Sequence, residues 1–217
     1  MRREGNGGNT MDENAEKLMR EMIDLVMKTD YVRISEIPDI ALYMDQVTTF
    51  MDEHLENCKR HPEDKILTKT MINNYAKNNV LPPPEKKKYS KEHMIILTLL
   101  YYFKSFLSIN DIQAVLAPVE EAYFGQEDKS MTDVYRQIMS LVRTCLRPMR
   151  DDIVKKYTTS QTTFKNAPEE LQEQLHLFAF ICLLSFDVYE KKRIIETLID
   201  DYFTGDKLNQ KGPGKKS

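Results

Sequence analysis

Apolar positions recur at helical spacing along most of the chain. From Glu13 to Lys28, Leu18, Met19, Met22, Ile23, Leu25 and Val26 form one stripe. The stretch "YVRISEIPDIAL" follows as a loop or extended segment broken at Pro38. A second helix is expected over Leu42–Asn57, with Leu42, Val47, Phe50, Met51 and Leu55 inward, and Pro62 disfavours helix at His61. Thr68 is placed to cap a short third helix, Lys69–Asn78. On it Met71, Ile72, Tyr75 and Ala76 share one face, and Lys69, Thr70, Asn73, Asn74 and Lys77 share the other. Asn79 stands where a left-handed residue commonly ends a helix, and Pro82, Pro83 and Pro84 then hold the chain extended. Ser90 caps a fourth, strongly apolar helix ending near Leu107. Ser108 with Asp111 forms an acidic capping box for a fifth, which is expected to stop at Pro118.

Beyond the linker "PVEEAYFGQEDKS" the pattern predicts further helices. One covers Met131–Arg147 and is divided by Pro148 from a piece ending near Tyr157. Another runs from Pro168 to Phe186, and a last one from Tyr189 to Phe203. The run Leu175–Phe186 is apolar nearly all round. At about half the length of a membrane span it reads as the core of a helical bundle, then as a dimer interface, then as a small-molecule pocket. Residues 1–10 and the basic tail 205–217 read as disordered.

Composition changes this picture in two places. Three scattered cysteines and a polar N-terminus without an apolar core argue for a reducing compartment and no signal peptide, hence a cytoplasmic protein. Charge is informative only locally. The chain carries a net −3, yet Lys65–Lys91 holds seven lysines against Glu85 alone. A basic island in an acidic chain is a candidate polyanion site, or else a solvated loop.

The order of elements around that island is meaningful: two helices, a short amphipathic helix with a polar outer face, a basic extended segment, then an apolar helix. It is the order of a winged helix-turn-helix. Thr70, Asn73, Asn74 and Lys77 are the candidate base-reading residues, because small hydrogen-bonding side chains reach base edges and an Asn amide matches adenine. Lys69, Lys86, Lys87, Lys88, Tyr89 and Lys91 are the candidate phosphate contacts.

The stretch "LTKTMINNYAKNNVLPPPEKKKYSKEHMIILTLLYYFKSFLSINDIQAVL" resembles an uncharacterised bacterial family, the domain of unknown function numbered 1836, placed at about Pro38–Leu116. Its core also resembles the DNA-binding domain of MerR-type transcription regulators. Thr68 matches that family's helix cap, Tyr75 its tyrosine and Lys77 a basic position. Asn79-Val80-Leu81-Pro82 matches Gly-Leu-Leu-Pro, Tyr89-Ser90 matches Tyr-Ser, and Leu107–Ile112 matches the start of the last helix. The resemblance implies a transcriptional regulator that binds double-stranded DNA. The sequence departs from it in four ways. Thr70 and Asn73 replace the usual arginines, the wing is shorter, Cys58–Leu67 is a long connection, and no long dimerisation helix is legible.

Other chemistry is sparse. His54, Cys58 and His61 have a spacing that could gather metal ligands, but no fourth ligand is near, so no metal is expected. The pairs Asp151-Asp152, Glu169-Glu170 and Asp200-Asp201 read as helix starts or solvated faces. With no nucleophile elbow, phosphate-binding glycine loop or acid/base pair, neither an enzyme nor a cofactor is expected. The resulting expectation is an all-α protein with a short wing. Its parts are an N-terminal helix in 11–37, a MerR-like winged helix-turn-helix in 38–117, and a C-terminal helical region in 118–204. Its partners would be DNA and a second copy through the C-terminal helices, with no membrane and with any effector unspecified. The alternative is a protein-interaction module on a degenerate winged-helix scaffold that does not bind DNA.

Overall fold

The computed structural model describes residues 13–27 and 31–204. The readings of the two chain ends, and the placement of Lys28, lie outside those residues. The protein is mainly helical. Its elements are α1 (Glu13–Met27), β1 (Leu42–Tyr43), α2 (Met44–His54), α3 (Lys69–Lys77), β2 (Lys88–Tyr89), α4 (Lys91–Phe103), α5 (Ile109–Tyr123), α6 (Met131–Ser160) and α7 (Glu169–Ile199). A 3-10 turn occupies Glu56–Cys58, and α7 ends in a π-helical turn, Asp200–Thr204.

Two compact units divide the described residues, one of residues 31–143 with 181–204, the other of residues 13–27 with 144–180. The larger is organised around α4, whose residues 93–100 are all buried. Around them pack Val47 and Met51 of α2 with Leu55 just after it, Ile72 of α3, Val80 and Leu81, and Ile112 and Leu116 of α5. Val32 and Ile37 belong to the same core, together with Met131, Tyr135 and Met139 of α6. In the smaller unit Met19 is buried, and Tyr157 meets Phe180 edge-on at 5.4 Å.

Several boundaries differ from the sequence expectation. Leu42 and Tyr43 are not the start of a helix but a strand, paired antiparallel with Tyr89 and Lys88 respectively. A two-residue strand is too short to show a period of two. The helix α4 stops at Phe103 rather than near Leu107. Pro118 does not end α5, and Pro148 does not divide α6. Each proline removes one helical hydrogen bond, and both prolines are exposed. Beyond Pro118, Val119 and Tyr123 pack on the core and favour continuation. The break expected near Asp187 is absent too, and Lys191 pairs with Asp187 at 2.7 Å across it.

The two C-terminal helices are therefore long, with 30 residues in α6 and 31 in α7. This corrects the reading of four shorter C-terminal helical pieces divided at Pro148 and near Asp187. It also corrects the reading of Leu175–Phe186 as a buried core helix: Phe180 is buried, but Phe178, Ile181 and Phe186 are 58%, 59% and 67% exposed. Among the described residues one helical stretch, Glu169–Thr204, is long and apolar enough to cross a membrane, with a mean hydropathy of 1.2 in its most apolar window.

Candidate nucleic-acid interface

The site begins with a well-terminated helix. The Thr68 hydroxyl accepts the Met71 N–H at 3.2 Å and caps α3. At the other end Asn79 adopts φ 53°, Val80 N–H donates to the Tyr75 carbonyl at 2.9 Å, and Asn79 N–H donates to Ala76 at 3.2 Å. These are the two bonds of a Schellman motif, with Asn supplying the left-handed residue. Asn78 adds a side-chain bond to the Asn74 carbonyl at 2.7 Å.

Ile72 and Tyr75 are buried and fix the rotation of α3 about its axis. At about 100° per residue, Thr70 and Lys77 stand opposite them, and Asn73 and Asn74 flank that line by about 50° on either side. Thr70, Asn73, Asn74, Lys77 and Lys69 are all exposed. The structure thus gathers these five residues on one solvent face.

Pro82–Pro84 lead to a tight reversal. Lys88 N–H donates to the Glu85 carbonyl at 2.9 Å, and Lys86 and Lys87 between them have φ 48° and 64°. Positive φ at both central residues is the type I′ hairpin turn, whose twist suits antiparallel strands. Neither residue is Gly or Asn, so the backbone holds the two lysines at the exposed tip against their own preference. In β2 side chains alternate. Lys88 faces out, 5.0 Å above the Tyr43 ring, and Tyr89 faces in.

That alternation corrects one candidate. Tyr89 is 3% exposed, with its ring edge-on to His93 at 5.5 Å, so its side chain belongs to the core and not to a phosphate-contacting surface. Burial pushes its phenol above the ordinary value. The lysines also differ from one another. Lys69 is ion-paired with Asp45, and Lys91, which is largely covered, pairs with Asp39 at 2.5 Å. Lys86 lies 3.9 Å from Glu85 with both side chains almost fully exposed, which is worth little in water. Lys65, Lys77, Lys87 and Lys88 have no ion pair among the described residues. The uncommitted positive charge therefore lies at Lys65 ahead of α3, at Lys77 on its outward line, and at the hairpin.

The sequence reading missed His93. It lies under the hairpin at position N3 of α4, where a capping box normally carries Glu or Gln. Its Nδ1 accepts from the Ser90 N–H at 3.0 Å and lies 2.8 Å from the Ser90 hydroxyl. The neutral ring therefore carries its proton on Nε2. Nε2 is buried and makes no hydrogen bond of normal geometry. Burial lowers the His93 pKa, opposed by the carbonyls of Pro83 and Pro82. The spacing Ser-x-x-His was the available signal.

The candidate metal ligands do not converge. The His54 ring stacks on Phe50 at 4.0 Å, with Nδ1 bonded to the Phe50 carbonyl at 3.0 Å. Cys58 is half-buried with its thiol pKa raised by burial, and His61 is exposed in a turn. Among the described residues no group of three such side chains could hold an ion.

Residues 32–138 match the model of the family described as Domain of unknown function (DUF1836). No curated protein and no solved structure matches the chain.

Proposed function

We propose that this domain of unknown function is the head of a sequence-specific, DNA-binding transcriptional regulator. In this reading it is a MerR-like winged helix-turn-helix that works in the cytoplasm as a homodimer. One observation carries the reading. The residues of α3 opposite its buried anchors are Thr70 and Lys77, flanked by Asn73 and Asn74, and the chain then turns back through a lysine-tipped hairpin. The helix offers both donors and acceptors to base edges in a major groove. Lys86, Lys87 and Lys88 offer charge to phosphates. The dimer is supported by the exposed apolar residues of α7, since two heads are needed to span neighbouring half-sites.

A second reading has an observation of its own. Asp45 and Asp39 already engage Lys69 and Lys91, which removes two of the seven cations of the island. An interaction module that uses its lysines only for solubility would tolerate that pairing. Amide chemical shifts of the full chain, followed while duplex DNA is titrated in, separate the two. The regulator reading expects changes concentrated at residues 69–78 and 85–88. Unchanged shifts in both stretches would leave the interaction module as the better account.

A further inference from the structure

A cleft of about 450 Å3 opens between residues 31–35 and the early turns of α6, within the larger unit. Its floor is apolar, from Val32, Ile34 and Met139 with the Tyr31 and Tyr135 rings. The Tyr135 hydroxyl donates to the Val32 carbonyl at 2.6 Å and ties the two walls together. Arg136, Ser140 and Arg143 line the α6 wall at spacings that put them on one helical face. Arg33 and Ser35 line the other wall.

The cleft therefore carries three guanidinium groups and two serine hydroxyls beside its tyrosines, and no carboxylate lines it. Two of the cations are engaged at its rim, Arg33 lying 3.9 Å from Glu36 and Arg136 pairing with Asp133. Arg143 has no ion pair among the described residues. Its charge reaches Tyr135, where it opposes the rise in phenol pKa that burial and Glu36 produce. A lone surface arginine needs no ligand. An arginine without a counter-charge, beside two more arginines over an apolar floor, is a different arrangement.

We propose that this cleft binds a small organic anion, with its carboxylate or phosphate held by Arg143 and Arg136 and its apolar body laid on Tyr31, Ile34 and Met139. The guanidinium fork matches the paired oxygens of either group. The apolar floor distinguishes an organic anion from an inorganic one. The volume falls within the range of small-molecule sites. The proposal does not rest on DNA binding, and a chain that ignored DNA would still bind such an anion here.

The test is calorimetric titration of the full chain with phenyl phosphate, benzoate and inorganic phosphate at fixed ionic strength. Saturable one-to-one binding is expected for at least one organic probe, with inorganic phosphate weaker, and the two organic arms tell phosphate from carboxylate. Arg143→Gln should weaken that binding by about tenfold, the loss of one charge-assisted hydrogen bond. Arg143→Lys should fall between, and Lys87→Gln should bind like the wild type. If Arg143→Gln melts lower without ligand, Arg136→Gln takes its place. No saturable binding of either organic probe, or unchanged binding by the arginine variants, would overturn the assignment. So would a loss of duplex DNA binding in Arg143→Gln as large as its loss of the probe, because the cleft would then be part of a nucleic-acid surface.

Discussion

The backbone N–H of Ser90 donates to Nδ1 of His93 at 3.0 Å, and this bond can exist only while Nδ1 is unprotonated. It joins the start of α4 to the base of the hairpin. Protonation would turn an acceptor towards a donor and charge a buried ring. The folded pKa lies below the ordinary value of 6.5, so the stability is present above that value and is lost as pH falls through it. His93→Gln keeps an acceptor at N3 without titrating. Its urea midpoint should change less than that of the wild type between about pH 7 and about pH 5. An equal change in both would show that the pKa of His93 is not lowered by folding.

Glu120 titrates in the opposite sense. Burial raises its carboxyl to about 7, and its Oε1 has no hydrogen-bond partner. A folded pKa raised above the ordinary 4.5 gives stability that is full below that value and is lost as pH rises towards 7. Glu120→Gln should therefore be more stable than the wild type above about pH 7 and close to it near about pH 4. Urea unfolding at the two pH values checks this, and a variant equally destabilised at both would contradict it.

The lysine-tipped turn links stability to function. Lys86 and Lys87 both hold left-handed backbone. Lys87→Gly should raise stability by about 1 kcal/mol, the strain relieved when a side chain is removed there. The same change should weaken binding to any DNA sequence and flatten the log–log salt slope by about 0.9 if Lys87 touches a phosphate. A Lys86, Lys87 and Lys88 triple alanine variant should flatten it by about 0.9 for each contact. An unchanged slope in the triple variant would make the run a solvated loop.

On α3 the expected readers are the residues turned away from Ile72 and Tyr75. Asn73→Ala should leave melting nearly unchanged, because the side chain is exposed and Ala suits a helix. Specific binding should fall by about 1–3 kcal/mol, with preference relaxed at one base position. Asn74→Ala is the comparison, on the other flank of the Thr70–Lys77 line. A larger loss from Asn74→Ala would mean that the helix presents its other flank to the groove. Competition between the selected duplex and single-base variants measures both.

What could be read from the sequence was local. Thr68, Asn79, and Ser108 with Asp111 each act within a few residues of themselves, and each does what its type and position imply. What could not be read depends on distant partners. Leu42 and Tyr43 form a strand only because Tyr89 and Lys88 lie beside them. Pro118 lies inside a continuous helix because Val119 and Tyr123 beyond it pack on the core. The exposed residues of α3 were legible from periodicity, whereas the ion pairs that engage Lys69 and Lys91 use Asp45 and Asp39, outside the basic run. The arginine cleft was hidden for the same reason, since residues 31–35 and α6 meet only in the fold.

Random-oligonucleotide selection with the purified full chain tests the central claim most directly. A DNA-reading α3 beside a basic hairpin predicts an enriched motif, repeated as two half-sites if two heads bind together. The motif should be recovered less strongly by Asn73→Ala than by the wild type. A library that stays unenriched through repeated rounds, with weak binding that salt abolishes equally for all sequences, would contradict the account.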